Sequence, residues 1–510
     1  MQAGIGATQL ALLGKVSAPR FARAATPTGG PTRLLTFHLP GGFYQSGFFC
    51  PMNTAQINGV VPPQTTYQGD LVYFNASQVQ NLDGSGDADG PGGYRRIRVP
   101  RQWDDGALSA GQAGASPQGY AWVHHKLWER CVVVHGVDQG TAGHVPGYVS
   151  AMCGVASNEY KSPGIHAWVA NALFDRFGDD RPLASVTVGG ESAVEAAHLR
   201  PEVSGISVGS TESIGYMASQ RVDSAWAGFR NRPLVAHPSF DGSGSTQVPM
   251  NRIEERVARR LRAMRGVAPP GTDSFYESIY NSLAGVSKLL AKDVITQIEN
   301  TPGFEHTPVP FWAAGPTRFS VTHAGKVVDG KREWEPRFEP ALRLLKSGLT
   351  SAVSAWAWAP NFDGFDNHGE PGYGIHTNYV RTTLDVVGRF IGEMKATPIG
   401  GGRTLFDDTL IMIVSDFGRT NPKHGCEHWP VGSVVFTGAN VADNRMVGNY
   451  ETPDLGAQGF EGSKTDVLDG GNVINRKLTS ADVVQTAVRL FGIDNAFIPG
   501  GSAEIAGVRG

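Results

Sequence analysis

Apolar and polar positions along this chain fall into blocks whose period changes repeatedly. Short apolar runs bounded by turn formers read as strands buried on both faces. They are Arg33–Leu39 (followed by Pro40-Gly41-Gly42), Cys131–His135, Leu183–Val188, Ser351–Ala359 and Leu410–Val414. Between and after them lie segments of helical character: Pro146–Cys153 ended by Gly154, Gly164–Phe177, Asn251–Arg265, Phe275–Ile298, Phe338–Leu349, Thr377–Ala396 and Ser480–Phe491. The last is expected to be N-capped by Ser480 and stopped by Gly492. Strands alternating with helices predict an α/β fold with a mostly parallel central sheet flanked by helices. No internal repeat is evident.

Two polar clusters follow apolar runs directly. After Leu410–Val414 come Ser415-Asp416-Phe417-Gly418, then His424, Glu427 and His428. After Ser351–Ala359 comes a Gly-rich stretch with Asp363, Asp366, His368, Glu370 and His376. In open α/β sheets ligands bind just outside the carboxyl ends of strands. Carboxylates with imidazoles at that edge are the ingredients of a site for zinc, manganese or iron. The plainer alternative is that Asp416 caps a turn and the other acids and glycines shape loops. A third piece, His135-Gly136-Val137-Asp138 and then Gly143-His144-Val145-Pro146, follows the Cys131–His135 run. It reads as a loop with a helix start, and a helix N-terminus favours anions.

Composition narrows the function classes. At 510 residues the chain has roughly three domains' worth of length, although a single α/β domain can run long. Lys and Arg number 44 against 47 Asp and Glu, a net charge of −3, so there is no footprint of nucleic-acid binding. The six arginines of Asn251–Arg265 read as the solvated face of an amphipathic helix whose stripe is Ile253, Val257 and Leu261. Gly at 66 and Pro at 32 predict many loops. The acids of Asn81–Gly93 miss calcium-loop spacing, because Arg96 stands where a bidentate Glu is needed. Four cysteines without a CxxC pair argue against a zinc–thiolate site. Ala3–Leu13 is apolar but too short to span a bilayer, and Ala22-Arg23-Ala24 offers a cleavage site. Residues 1–25 are therefore expected to be a truncated export signal. No other segment approaches transmembrane length.

The order of parts resembles the alkaline phosphatase/sulfatase superfamily. More closely, it resembles a bacterial family of exported proteins of unknown function within that superfamily. The residues that carry the resemblance are Gly41-Gly42, His144–Gly154, Phe365-Asp366-Asn367-His368, Ser415–Thr420 (SDFGRT) with Glu427–Pro430 (EHWP), and Ala481–Asp494. The resemblance runs from about Arg33 to the C-terminus. It implies a single domain over 26–510, with loop insertions near 53–118 and 200–248. It also implies a twin-arginine signal and export to the periplasm or cell surface. It places metal ligands at Asp416, His428, Asp366 and His368, with His376 competing for the last place.

Two departures from the superfamily pattern stand out. The loop Gly41–Pro51 has no acid where the superfamily takes a further ligand, and His38, within the strand, is the nearest substitute. His144 stands where the superfamily's nucleophile stands, and Tyr148 replaces an arginine of that signature. The expected function is a divalent-metal-dependent hydrolase of phosphate or sulfate esters acting on an anionic small molecule. In it His144 serves as base, ligand or nucleophile and Arg419 clamps an anionic oxygen. The alternative is a non-catalytic exported protein that binds an envelope partner on the same scaffold.

Overall fold

The computed structural model describes residues 30–42, 49, 66–67, 70–71, 79–86, 93–100, 120–157, 163–189, 206–208, 297–298, 300–305, 320–323, 326–329, 335–357, 366, 368, 383–384, 386–420, 427–451, 461–493, 498 and 501–510. The expected export signal, the arginine-rich helix, most of Phe275–Ile298 and His376 lie outside them.

The elements that build the centre of the molecule are, in chain order, β1 (Arg33–His38), β2 (Cys131–Asp138), α1 (His144–Cys153), α2 (Ile165–Phe177), β3 (Leu183–Val188), β4 (Ile206–Val208), α3 (Glu335–Ser347), β5 (Thr350–Trp356), β6 (Thr409–Val414), β7 (Gly418–Arg419), β8 (His428–Trp429), β9 (Val431–Gly438), β10 (Arg445–Val447), β11 (Lys464–Asp469), β12 (Asn472–Thr479), α4 (Ser480–Leu490) and β13 (Glu504–Ile505). One 11-stranded sheet runs β13-β11-β12-β2-β9-β6-β1-β5-β3-β4, with β10 also paired to β2.

The sheet is mostly parallel, with its antiparallel pairs on one side. β4, β3, β5, β1 and β6 are parallel to one another. β9 then runs antiparallel to both β6 and β2. Its reversal restores β2 to the direction of β1. The carboxyl ends of β1, β2, β5 and β6 therefore lie at the same edge as the start of β9, where Val431 pairs with Asp138.

Burial on both faces explains why the strands read as continuous apolar runs. Leu35, Phe37, Val353, Ile411 and Ile413 join Phe338, Leu342 and Leu345 of α3 in one core cluster, with Val387 and Ile391 of the helical stretch 386–396. The alternate positions Leu34, Ala352, Leu410 and Met412 join Val149 of α1, Trp168 of α2 and Val484 and Val488 of α4 in a second. In the first cluster's layer, Lys346 and Glu393 form a 2.7 Å ion pair with side chains only 5% and 0% exposed.

Several boundaries differ from the sequence expectation, for local reasons. α1 starts at His144, not Pro146, with Gly143 as N-cap, and ends on left-handed Gly154 as expected. β2 continues to Asp138 because β9 pairs along its whole length. The N-cap of α4 is Thr479, not Ser480, because Asp482 stands three residues on and closes a capping box. Asp83 pairs with Arg96 and accepts a 2.8 Å bond from Asn444, so it ties surface segments together. Cys131 and Cys153 are buried free thiols.

Candidate metal centre

β1 ends at His38, in register with Val414 of β6 and Trp356 of β5. The chain leaves β1 through Gly41 and Gly42, with φ of 105° and 83°, a backbone that glycine adopts without strain. That turn aims two successive N–H groups at one atom, Oδ1 of Asp416, at 2.8 and 3.0 Å. The Ser415 hydroxyl lies 3.0 Å from the same oxygen. Oδ2 of Asp416 faces Nδ1 of His144 at 2.8 Å. Asp416, which directly follows β6 and Ser415, is thus buried with both oxygens engaged.

His144 is the first residue of α1, and its second nitrogen, Nε2, lies 3.1 Å from Oδ2 of Asp366. Asp366 is a meeting point. Its Oδ1 lies 2.7 Å from Nε2 of His428, 2.9 Å from Nε2 of His368 and 2.9 Å from the Arg419 guanidinium. The rings of His144 and His428 are 4.7 Å apart, and His428 stacks on Phe417 at 4.0 Å.

The remaining ring nitrogens are all anchored. Nδ1 of His428 faces the Ala142 carbonyl at 3.0 Å, and Nδ1 of His368 faces Glu427 at 2.8 Å. A carbonyl or an ionised carboxylate only accepts, so each of these Nδ1 atoms carries the proton. This is how metal-binding histidines are held, with the ring turned so that the other nitrogen is presented.

Charge supports the same use. Asp366, Asp416 and Glu427 against Arg419 leave two negative charges in excess when the rings are neutral. One divalent cation balances them. His144, Asp366 and His428 each offer a ligand atom, and the three atoms lie within 4.8 Å of one another. Carboxylate and imidazole donors suit zinc or manganese.

With protons alone at the centre, the couplings are strong. Hydrogen bonds to Asp366 and then Asp416 raise His144 from 6.5 to about 9. Burial works to raise Asp366, but its bonds to His144 and His428 and the Arg419 charge outweigh it, and the net shift is downward. Asp416 is likewise lowered, burial being overcome by the His144 bond and charge and by the Gly41 amide. Burial holds His38 neutral, lowered to about 4. Its ring lies tilted over Trp356 at 4.1 Å, and among the described residues neither of its ring nitrogens has a hydrogen-bond partner.

The structure brings together His144, Asp366, His368, Asp416, Arg419 and His428. Arg419 is fully buried, bonded to the Gly41 carbonyl and to Asp366, so it holds a carboxylate of the protein. Sequence reading assigned no role to Glu427, the Ala142 carbonyl or the Gly41-Gly42 amides. Glu427 left a signal in its place next to His428, and Gly41-Gly42 in the paired glycines after the first strand.

No protein-family model and no curated protein sequence matches the chain. Among solved structures it is similar to a phosphonate monoester hydrolase from Silicibacter pomeroyi, at 12% identity over 92% of this chain and 75% of that one. The TM-score is 0.29, too low for the likeness to carry an argument about fold or activity.

Proposed function

We propose that the chain is a divalent-metal-dependent hydrolase of phosphate or sulfate esters, working at the edge where β1, β5 and β6 end. The observation that supports this best is the convergence of His144 Nε2, His428 Nε2 and the Asp366 carboxylate, with both rings anchored through Nδ1. These three residues would hold the ion. When bound, it supplies Lewis acidity toward an ester oxygen and lowers the pKa of water. Arg419 and His368 hold Asp366 in place. The N-terminus of α1 brings its partial positive charge to the same edge and favours an anionic substrate.

The test is turnover of p-nitrophenyl phosphate and p-nitrophenyl sulfate by protein reconstituted with zinc or manganese, and its loss in Asp366→Ala. Metal-replete protein that turns over neither ester class sinks the proposal. A non-catalytic cation-binding protein is the second reading. It is favoured by Arg419, whose described bonds go to Gly41 and Asp366 within the protein. Recovery of a reproducible envelope partner from metal-replete, inactive protein supports it, and ester turnover argues against it.

Export belongs to the same proposal, on the strength of the apolar Ala3–Leu13 segment and Ala22-Arg23-Ala24. N-terminal sequencing of protein from a periplasmic fraction checks it, and an intact Met1 there overturns it. Among the described residues no helix is long and apolar enough to cross a membrane.

A further inference from the structure

Asp416 sits at a strand end, where a carboxylate is well placed to bind a metal directly, yet its surroundings leave it little capacity to do so. A carboxylate has about four acceptor sites. Oδ1 receives the Gly41 and Gly42 amides and lies beside the Ser415 hydroxyl, and Oδ2 receives His144. The two amides come from a glycine turn that forms a small anion-binding concavity, and its anion is this side chain. Oδ2 keeps one acceptor site, and an ion bound there would share that oxygen with the Nδ1–H of His144.

A second observation, on α1, points the same way. Gly147 lies three residues after His144, on the same side of the helix. A Cβ there would stand 2.2 Å from the Asp416 carbonyl oxygen and 3.2 Å from the Asp416 Cβ. Only a residue without a side chain lets α1 press its first turn against the end of β6. That close approach carries the His144 ring to Asp416. Gly42 serves the same packing from the other side, since a Cβ there would meet the Phe417 ring at 2.6 Å.

We propose that Asp416 is a positioning residue behind His144 and not a ligand. In this assignment Gly41, Gly42 and Gly147 lock His144 in the Nδ1–H form, so that Nε2 joins His428 and Asp366 in holding a divalent cation. The assignment rests on reading the site as a metal centre. It moves the ion one imidazole outward from the strand end. His144, at the helix start where a hydroxyl or thiol nucleophile would stand, becomes the inner face of the ion's cage. Asp416 then contributes by fixing the tautomer and making Nε2 a stronger donor.

The experiment uses the full chain with zinc as the probe. Ring-nitrogen NMR of ¹⁵N-histidine-labelled, zinc-bound protein should show His144 with its proton on Nδ1 and zinc on Nε2. Asp416→Asn keeps the shape but offers Nδ1 an amide N–H or a neutral oxygen. Its zinc affinity should fall about 10–100-fold while one equivalent still binds at saturation. Asp366→Ala and His428→Ala should bind far more weakly than that. Zinc bonded to an Asp416 oxygen in a crystal overturns the assignment. So does a zinc-bound form with the His144 proton on Nε2, an Asp416→Asn variant that binds zinc as the wild type does, or wild-type protein that takes up no zinc. If Asp416→Asn does not fold, by circular dichroism, the wild-type spectrum and the zinc position decide alone. Ester turnover is a separate readout. Zinc on His144 without turnover defeats the hydrolase proposal and leaves this one standing. Turnover with zinc on Asp416 does the reverse.

Discussion

Gly147→Ala is the most informative single perturbation, because structure and general propensity predict opposite signs. In an unobstructed helix interior, alanine is favoured over glycine by about 0.5–1 kcal/mol. Here the added carbon would lie 2.2 Å from the Asp416 carbonyl oxygen, a backbone atom fixed at the end of β6. Restoring ordinary contact requires α1 to move away by at least about 1 Å. Overpacking of this kind costs about 1–3 kcal/mol. The net expectation is a loss of up to about 2.5 kcal/mol, from the difference between these two effects. The same movement lengthens the 2.8 Å contact between His144 and Asp416 beyond hydrogen-bonding range. Zinc affinity should therefore fall by about tenfold or more. Urea denaturation of metal-free protein measures the first effect and zinc titration the second. Gly86→Ala is the control, because its Cβ meets nothing within 4 Å and its stability should stay within about 0.5 kcal/mol of wild type. A Gly147→Ala protein as stable as wild type, with unchanged zinc affinity, refutes the packing argument.

Other outcomes follow from the same geometry. In metal-free protein His144 is raised from 6.5 to about 9 by its bonds to Asp366 and Asp416. A folded value above the unfolded one gives stability that is fully present below about 6.5 and lost as pH rises through about 9. The stability difference between wild type and His144→Asn, from urea midpoints at pH 6 to 9.5, should shrink across that window; a constant difference contradicts it. Asp366→Ala should lower zinc affinity more than any Asp416 variant and abolish any ester turnover, by zinc titration and a colorimetric assay together. Glu393→Ala leaves buried Lys346 with the Gly303 carbonyl but no carboxylate to balance its charge, and should cost about 3–5 kcal/mol in urea denaturation. The paired Lys346→Met and Glu393→Leu replacement should restore most of that, and a single variant costing nothing would show that the pair is solvated.

The centre of the fold was legible because its strands are buried on both faces and so appear as unbroken apolar runs. Leu410–Val414 and Leu183–Val188 match the observed strands to within a residue. β9 went unread although Val434, Val435 and Phe436 form an apolar run between Pro430 and Gly438. Its role as the reversing strand depends on its neighbours β6 and β2, which no local pattern reports. The site was legible as a set of acids and imidazoles near strand ends, and the structure does gather His144, Asp366, His368, Asp416, Arg419 and His428. How each group is used was not legible. Whether Asp416 faces an ion or another side chain depends on two backbone amides of Gly41 and Gly42, and main-chain donors carry no residue code. The Thr479 cap was available in sequence, since Asp482 completes a capping box with Thr479 and not with Ser480.

The place of β1 in the sheet has a consequence for biosynthesis. β1 comes early in the chain, yet its hydrogen-bonding edges are satisfied by β5 and β6, with Leu34 opposite Ala352 and Leu410. During synthesis both of its ladders stay open until β5 and β6 have been made. Contacts of such sequence separation form slowly, and exposed strand edges meanwhile invite association between chains. The three candidate ligands are also remote in sequence, with a separation of 222 residues from His144 to Asp366 and of 62 from Asp366 to His428. The yield of soluble chain should then depend on how long a nascent β1 is kept from pairing with another copy of itself.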